Sequence, residues 1–327
     1  ELRYKNISKE LIIFFNEVQI ILSLCNFFKI KLFISSQTHL SLNLAADVVS
    51  KLLNFETINF QYSFAHTKSH SLVLLSNADN LLLFSNKFKN KFSNQNIFEP
   101  KIYEIGYIFK VSDELKEKSL KLRNLMKKNG SKLIISYFDE GVKFDKWKLS
   151  HKDQILGDLR KLLDFILKNN EFGLIVKPQF AFHKPSKIFK DKIFADAIKT
   201  GRYIEAIEGS YRNNILPFQT ALASNLSIGY YFGGTACLES SLVDIPTLML
   251  NPFNNKGDFD EVIDNNNILY KDIDEIIKIL TKLKNNNEDV QKYKKFNNII
   301  SSSIFSDPIN KINFEKIIAE KINAQTN

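Results

Sequence analysis

The pattern of apolar and polar positions predicts strands that alternate with helices in the first third of the chain. Short apolar runs, typical of buried strands, are separated by longer segments in which apolar residues recur every three or four positions, as on one face of a helix. Because strands that alternate with helices form βαβ units, the pattern predicts a parallel sheet. The predicted strands are residues 31–34, 57–60, 81–84 and 101–104, and the predicted helices are residues 7–28, 42–53 and 86–92.

The same alternation returns after a charged segment. Residues 113–128 predict a helix rich in Lys and Glu that stops at Asn129-Gly130, which is typical of a surface connection between domains. We therefore divide the chain into an N-terminal domain of residues 1–112, a linker helix of residues 113–130 and a C-terminal domain of residues 131–327. The strands predicted in the C-terminal domain are residues 132–137, 172–176, 226–228 and 247–250, and its clearest helices begin at residues 150 and 272.

Length and composition fit a two-domain globular protein. The 327 residues are enough for two domains of about 100–200 residues each, and 44% hydrophobic and 25% charged residues are ordinary values. Two cysteines, Cys25 and Cys237, are too few for a disulfide framework, so a reducing cytoplasm is expected. Polar residues interrupt the most apolar window, residues 11–35, and the start lacks a signal-peptide pattern. We therefore expect neither a transmembrane helix nor a signal peptide.

The net charge of +9 has three possible sources: contact with nucleic acid, contact with an anionic membrane surface, or a compositional bias towards lysine. The lysines are scattered and no nucleic-acid-binding motif accompanies them, so no nucleic acid partner is expected. A compositional bias towards lysine and contact with an anionic membrane both remain as explanations of the net charge. A basic surface would favour a membrane, because each Lys or Arg near anionic lipid gains roughly 1 kcal/mol.

The most informative segment lies at residues 225–252. It predicts a short apolar strand, a turn at Gly233-Gly234, a helix that begins at Thr235, and a second buried strand. Glycines let a ligand approach the backbone, and a helix N-terminus offers N–H groups and a positive dipole end to a phosphate. Glu239, one helical turn after Thr235, could accept hydrogen bonds from sugar hydroxyls. The alternative is an ordinary strand–turn–helix unit of a doubly wound domain.

This segment resembles the donor-site signature of GT-B glycosyltransferases, and in particular that of bacterial enzymes that build capsules and other surface polysaccharides. The resemblance rests on the pattern small-Gly-Thr-Ala-x-x-Glu followed by a proline and an apolar strand. It implies an α/β fold of two Rossmann-like parallel-sheet domains facing a cleft, the N-terminal one incomplete. It also implies that Gly233, Gly234 and Thr235 hold the donor phosphates and that Glu239 contacts the ribose or the sugar.

Two further elements extend the resemblance. Residues 177–180, Lys-Pro-Gln-Phe, are similar to the Lys-Pro-His-Pro element of capsule and teichoic-acid transferases, in which the lysine and histidine lie against donor phosphates. This implies donor contacts for Lys177 and for Gln179, which stands where the histidine is usual; a strand-end lysine in water is the alternative. Arg202 resembles the arginine that precedes the base-binding loop, where it pairs either with an acid or with the nucleotide.

The general base is expected among three side chains. His39 and His66 both follow predicted strands of the N-terminal domain, and histidine suits proton transfer near neutral pH. Asp139 follows the first strand of the C-terminal domain, in a loop whose aspartate faces the cleft in the surface-polysaccharide relatives. Each of the three has a simple alternative as a polar surface residue.

No metal site is predicted, because no Asp-x-Asp ends a core strand and no His/Cys cluster or Walker loop is present. The resemblance therefore implies a metal-independent glycosyltransferase that uses no cofactor. It would move a sugar from a nucleotide-sugar donor to a glycan or lipid-linked acceptor of surface-polysaccharide biosynthesis. The expected location is the cytoplasm, with peripheral association at the inner face of the membrane. Two alternatives stay open: a nucleotide-sugar 2-epimerase, which shares the fold and a similar glycine turn, and a non-catalytic relative that serves as an assembly subunit.

Overall fold

The computed structural model describes residues 2–36, 41–61, 77–89, 99–107, 111–139, 152–210, 213–231, 234–255, 257, 268–285, 289–301 and 311–326. These residues fall into two compact units. The first unit contains the described residues up to 107 together with the C-terminal helix Lys311–Thr326. The second unit contains the described residues from 111 to 301.

The first unit is built on a four-stranded parallel sheet with the order β1-β2-β3-β4. Before the C-terminal helix, its elements are α1 (Leu2–Phe28), β1 (Leu32–Ser35), α2 (Ser41–Leu53), β2 (Glu56–Phe60), β3 (Asn80–Leu83), a 3-10 turn (Asn86–Phe88) and β4 (Lys101–Glu104). The four strands predicted from the hydrophobic pattern are confirmed, and their parallel pairing follows from the helices that connect β1 to β2 and cover the sheet.

Neighbouring residues of β1 pack against helices on opposite faces of this sheet. Phe33 joins a cluster that includes Val49 of α2, whereas Leu32 joins a cluster that includes Ile317 of the C-terminal helix. Because successive strand side chains alternate between faces, both faces are covered. The C-terminal helix therefore belongs to the first unit, which differs from the assignment of all of residues 131–327 to a C-terminal domain. The spacing of apolar residues in the C-terminal helix is compatible with packing on either sheet. The sequence alone therefore could not show which sheet the helix covers.

The segment Ser8–Phe28 of α1 is long enough and apolar enough to cross a membrane, judged by length and composition only. The mean hydropathy of its most apolar 18-residue window is 1.8, and 11% of that window is buried inside the protein. This differs from the expectation that the chain has no such segment. The polar residues among residues 11–28 interrupt every apolar run, but they are few enough that the mean hydropathy over this window stays high.

The second unit is built on a six-stranded parallel sheet with the order β10-β9-β8-β5-β6-β7. Its strands are β5 (Leu133–Phe138), β6 (Phe172–Lys177), β7 (Tyr203–Glu205), β8 (Leu226–Tyr230), β9 (Thr247–Leu250) and β10 (Leu269–Tyr270). Its helices are α3 (Asp113–Lys128), α4 (Lys152–Lys168), α5 (Pro185–Phe189), α6 (Lys192–Lys199), α7 (Pro217–Ala223), α8 (Thr235–Leu242), α9 (Ile273–Asn285) and α10 (Lys295–Ile299). Two parallel sheets, each with helices packed on it, confirm the predicted α/β class.

The order of the strands in this sheet marks one position for a ligand. The chain runs outward from β5 through β6 to β7, and then returns to place β8 on the other side of β5. The connections after β5 and β8 consequently lead away from each other. In open α/β sheets, the crevice that this leaves at the carboxyl ends of the strands is where ligands bind.

Helix α3 packs on the second sheet and is not a separate linker. Met126 of α3 is fully buried against Ile134 and Ile175, while the charged residues of α3 lie on its outer face. Gly173 of β6 makes this packing possible, since a Cβ there would lie 2.5 Å from Met126 Cε. The sequence suggested a surface connection because the charged residues dominate the composition of α3. They lie on the face of the helix that points to solvent.

Candidate functional site

The candidate site lies at the carboxyl edge of the second sheet, next to the reversal of strand order between β5 and β8. Side chains that the sequence singled out stand at the ends of three neighbouring strands. They are Asp139 after β5, Lys177 and Gln179 at and after the end of β6, and Gly234 and Thr235 after β8. The parallel arrangement of the strands is what brings these distant parts of the chain to one edge.

Asp139 and Lys177 emerge from adjacent strand ends and are both buried. Phe138 lies opposite Lys177 in the β5–β6 register, and the Asp139 N–H donates to the Lys177 carbonyl at 3.2 Å. The Lys177 ammonium donates to the Pro178 carbonyl at 3.3 Å. A cation so removed from water is stabilised by negatively charged or carbonyl oxygen partners, and a phosphate is one such partner.

The β8–α8 connection brings a helix N-terminus to the same edge. Helix α8 begins at Thr235 with Gly234 as its N-cap residue, and no side chain among the described residues caps it. Gly229 of β8 lets the helix approach closely, because a Cβ there would lie 2.4 Å from Cys237 Sγ. An uncapped N-terminus with its positive dipole end is suited to an anion. Gly233, the other residue of the turn, lies outside the described residues.

Glu239 is buried, and one of its oxygens is directed at another helix. Its Oε2 accepts a hydrogen bond from the Phe218 N–H, in the first turn of α7, at 3.3 Å. A carboxylate at the start of a helix stabilises the N–H groups there. Glu239 thus ties α8 to α7, a contact that the motif itself did not predict; its contact with a donor sugar stays a prediction.

Asn213 holds the loop between β7 and α7 and was missed by the sequence analysis. Its Nδ2 donates to the carbonyls of Pro178 at 3.1 Å and Ala206 at 2.8 Å, and its Oδ1 accepts from the N–H groups of Glu208 at 3.1 Å and Ile215 at 3.2 Å. One amide therefore fixes this loop against the end of β6, beside Lys177. The sequence around Asn213 does not indicate this role, because its partner Pro178 is distant along the chain.

Arg202 lies at the opposite edge of the sheet from the candidate site. It precedes β7, and its Nη1 donates to the carbonyls of Ile166 at 2.7 Å, Phe172 at 2.8 Å and Asn169 at 3.2 Å. The first and last of these carbonyls belong to the end of α4 and the turn after it, where helix carbonyls need donors. These contacts give no support to the predicted donor contact of Arg202: its guanidinium stabilises the turn between α4 and β6. Burial lowers its pKa from the usual value.

His183 is a buried residue near the end of β6 to which the sequence analysis gave no role. Its ring packs edge-on against Phe180 and Phe182, at centroid distances of 5.2 and 4.2 Å, in the loop that follows Gln179. Aromatic neighbours on both sides hold the imidazole in place. The exposed side chain of Gln179, by contrast, is open to solvent at the edge of the sheet.

A buried polar chain lies beneath the site, inside the second unit. The Tyr137 hydroxyl donates to the Tyr230 hydroxyl at 3.0 Å, and Tyr230 donates to Asp158, which also accepts from Gln154 at 2.9 Å. Burial raises the pKa of Asp158 to about 6, against the hydrogen bonds from Tyr230 and Gln154, which lower it. Asp158 of α4 is thereby linked to Tyr230, the last residue of the strand that leads into the candidate phosphate site.

His39 and His66, the two histidines expected to supply a base, lie outside the described residues. Within the part of the chain that the structure describes, no group of three or more His, Cys, Asp or Glu side chains is arranged to hold a metal ion.

The sequence matches no protein-family model and no curated protein, but the structure resembles solved proteins over most of its length. A UDP-N-acetylglucosamine 2-epimerase from Listeria monocytogenes superposes with a TM-score of 0.59 and 12% identity, covering 95% of this chain and 78% of that one. A ugt transferase from Siraitia grosvenorii, solved with UDP, gives a TM-score of 0.54 and 10% identity, with coverage of 94% and 87%. The wall teichoic acid polymerase TagF gives 0.53 and 14%, with coverage of 90% and 73%.

The fold is GT-B-like. These three structures are a 2-epimerase, a transferase and a polymerase, and their sequence identities of 10–14% establish the fold and not the reaction. The predicted fold is thereby confirmed, whereas the capsule and surface-polysaccharide type is not specifically supported.

Proposed function

We propose that the second unit binds a nucleotide-sugar donor and that the protein is a metal-independent glycosyltransferase of surface-polysaccharide biosynthesis. The arrangement that supports this is the position of buried Lys177 and of the N-terminus of α8 at the same edge of the sheet, on the two sides of β5, where the strand order reverses. Both features suit a diphosphate. The similar transferase solved with UDP supports a nucleotide as the ligand.

The proposed reaction needs no resident cofactor. The bond between the anomeric carbon and the diphosphate oxygen breaks, and the acceptor hydroxyl oxygen forms a new bond to that carbon. The electron pair of the broken bond leaves with the nucleoside diphosphate, whose negative charge the α8 dipole and Lys177 would stabilise. A base takes the hydroxyl proton. We propose His39, His66 or Asp139 as this base. Substitution of the catalytic one by Ala should lower turnover by about 10²-fold and leave nucleotide affinity unchanged.

The phosphate site is tested by calorimetry with UDP and other nucleoside diphosphates. Thr235→Val deletes one hydroxyl at the start of α8, and Lys177→Ala deletes the buried ammonium. Each should weaken binding about tenfold or more, since a hydrogen bond to a charged group contributes about 1.5–3 kcal/mol. Lys132→Ala is the control, because Lys132 is exposed and precedes β5 at the other edge of the sheet. If both site variants bind as the parent does, the phosphates bind elsewhere.

Glu239→Gln separates sugar recognition from the helix contact of this carboxylate. The amide oxygen can still accept from the Phe218 N–H, so we expect a stability loss of only about 1 kcal/mol. Affinity for the intact nucleotide sugar should fall about tenfold, because charge-assisted hydrogen bonds to the sugar are lost. Unchanged affinity for the nucleotide sugar would limit Glu239 to its role between α8 and α7.

A nucleotide-sugar 2-epimerase is the second candidate, because a UDP-N-acetylglucosamine 2-epimerase is among the similar structures. Incubation with UDP-N-acetylglucosamine alone distinguishes the two: epimer formation without an acceptor identifies an epimerase, and sugar transfer that depends on a glycan or lipid-linked acceptor identifies a transferase. Nucleotide-sugar binding with neither outcome identifies a non-catalytic assembly subunit. In the transferase case, we propose that the protein works in the cytoplasm at the inner face of the membrane.

A further inference from the structure

Helix α1 uses only one narrow stripe of its surface to pack against the rest of the first unit. Ile21 and Cys25, one turn apart, are the buried apolar residues of α1 among those described, and they contact a cluster that includes Val49 of α2. The remaining circumference of the helix is solvent-exposed or half-buried. A water-soluble helix normally places polar residues on such a surface. Helix α1 does not.

One exposed stripe of α1 is apolar from Ile13 to Phe27. Ile13, Ile20, Leu24 and Phe27 are separated by seven, four and three residues, which places them on one face of the helix. Ile20 is 56% and Phe27 is 78% exposed. Four further large apolar residues of α1 are exposed at neighbouring positions: Leu11, Ile12, Phe15 and Phe28. An apolar surface of this extent, left in water, is typical of an interaction site.

A second exposed stripe is polar and carries no charge. Asn16, Gln19, Ser23 and Asn26 recur at spacings of three, four and three residues, on a different side of the helix from the apolar stripe. Over residues 16–28, the free surface of α1 is therefore divided lengthwise into an apolar and a neutral polar part, whereas exposed Ile12 and Phe15 lie in line with the polar stripe nearer the start of the helix. Such a division suits a helix that lies in the plane of a lipid interface, with acyl chains on one side and headgroups on the other.

The charges around α1 favour an anionic surface. Residues 18–31 contain no Asp or Glu, and exposed Lys29 and Lys31 directly follow the two phenylalanines that end the helix. Lysine next to exposed aromatic residues fits the boundary between headgroups and acyl chains. An acidic protein surface would satisfy the lysines but would leave no reason for the exposed apolar stripe from Ile13 to Phe27.

The contact with α2 decides between lying on a membrane and crossing it. The segment Ser8–Phe28 would extend about 32 Å, close to the roughly 30 Å of a hydrocarbon core, so its length permits either. To cross, α1 would have to leave α2 and expose the apolar residues that Ile21 and Cys25 now cover. If α1 lies in the lipid interface, Ile21 and Cys25 keep their contact with α2, and only the exposed apolar stripe enters the lipid.

We propose that α1 docks the protein on an anionic lipid surface: Ile13, Ile20, Leu24 and Phe27 enter the outer part of the acyl layer, and Lys29 and Lys31 lie at the headgroup phosphates. The contact with α2 is kept, so the protein is a peripheral and not a spanning one. This inference stands independently of the proposed reaction, because every residue in it belongs to α1 or to the turn after it.

Vesicle co-sedimentation tests the apolar stripe. The whole chain should bind vesicles of mixed phosphatidylglycerol and phosphatidylcholine, and keep part of this binding in high salt because burial of apolar surface is not screened. The triple substitution Ile20→Ser, Leu24→Ser, Phe27→Ser should lower the bound fraction at least tenfold. A matched control is Leu120→Ser with Leu125→Ser on α3, where the side chains are similarly exposed, at 55% and 50%. Circular dichroism and the melting temperature verify that each variant is folded.

The charge contribution has its own variant. Lys29→Asn with Lys31→Gln removes two charges, and Asn tolerates the left-handed backbone of Lys29, whose φ is 53°. This variant should lose the preference for anionic over phosphatidylcholine vesicles while keeping the apolar component of binding. Equal binding of the parent to both vesicle types would overturn the anionic preference.

Two further outcomes would overturn the proposal. If the parent does not bind vesicles, but is a dimer that the triple substitution converts to a monomer, the apolar stripe covers a second copy of the chain. If alkaline carbonate fails to release the bound protein, α1 crosses the bilayer. A fluorescence measurement checks the depth directly: Phe27→Trp in a Trp147→Phe background should shift its emission to the blue on vesicle addition, whereas Leu120→Trp in the same background should not.

Discussion

At the N-terminal edge of the second sheet, one buried guanidinium holds three backbone carbonyls. Arg202 contacts Ile166, Asn169 and Phe172, so it joins the end of α4 to the start of β6. An arginine suits this role because its five donors are fixed in a planar fork. Since the donors are used within the fold and lie away from the carboxyl edge, the consequence of removing them should be loss of stability.

We expect Arg202→Met to lower the free energy of unfolding by about 2–4 kcal/mol, since buried carbonyls would lose their donors. Affinity for a nucleoside diphosphate should be unchanged. The measurements are urea denaturation and calorimetry. Arg160→Met is the control: its exposed ion pair with Asp191, at 2.7 Å, should contribute no more than about 1 kcal/mol. A tenfold loss of nucleotide affinity in folded Arg202→Met protein would return Arg202 to the ligand site.

A second residue-scale prediction concerns pH. Burial raises the pKa of Asp158 to about 6, so between about pH 4 and 6 the folded chain binds a proton that the unfolded chain has released. This group therefore stabilises the fold below that window, and its contribution is lost as the pH rises through it. Asp158→Asn, which stays neutral, should gain stability relative to the parent by about 1–3 kcal/mol between pH 4 and 7.

Denaturation of both proteins across this pH range measures the difference. Asp164→Asn is the control on the same helix, because Asp164 is an exposed partner of Lys168. The stability of this control relative to the parent should change little over the window. A difference for Asp158→Asn that stays constant with pH would show that Asp158 is ionised in the folded protein throughout.

At the scale of elements, the position of α8 depends on a glycine in the preceding strand. Gly229 leaves room for Cys237, and this close approach sets where the N-terminus of α8 lies relative to the end of β8. The same logic holds at a second position on this face of the sheet, where Gly173 admits Met126 of α3. Strand glycines thus fix helix positions that the helices themselves do not encode.

We predict that Gly229→Ala displaces α8, because the new Cβ would lie 2.4 Å from Cys237 Sγ. It should lower stability by about 1–3 kcal/mol and weaken nucleoside diphosphate binding. Gly157→Ala on α4 is the matched control, since nothing lies within 4 Å of its Cβ position; it should stabilise the protein by up to about 1 kcal/mol. Thermal unfolding and calorimetry measure both. Intact affinity in Gly229→Ala would separate the nucleotide site from α8.

At the scale of the whole molecule, the end of the chain completes the unit with which the chain begins. The C-terminal helix contributes Phe314 and Ile317 to the cluster that covers one face of the first sheet. The second unit lies between these two parts in the sequence. The stability of the first unit should therefore depend on the last residues of the chain.

Ile317→Asp places a charge in that cluster and should weaken the first unit by about 3 kcal/mol or more. Amide hydrogen exchange should accelerate in β1 to β4 while β5 to β10 stay protected. Ile322→Asp on the same helix is the control, because Ile322 is exposed. Acceleration in the second sheet as well would show that the two units unfold as one.

The local pattern of the sequence determined much of this protein. Apolar residues spaced two apart predicted the four strands of the first sheet, and the order of apolar and small residues predicted the strand–turn–helix around Gly234. Both predictions were possible because the side-chain directions of a strand or helix depend only on neighbouring residues. The class of the fold follows, since strands joined by helices must lie parallel. The predicted strand boundaries also placed Lys177 and Asp139 at the ends of strands.

Long-range contacts decided what local spacing could not. The carbonyls around Arg202, the loop held by Asn213, and the sheet face covered by Ile317 all involve partners far away in the chain, and no periodicity records which partner a side chain will meet. The same is true of α1, where only the fold shows that a single stripe is buried. A sequence specifies which surfaces are apolar; the tertiary structure decides which of them remain in contact with solvent.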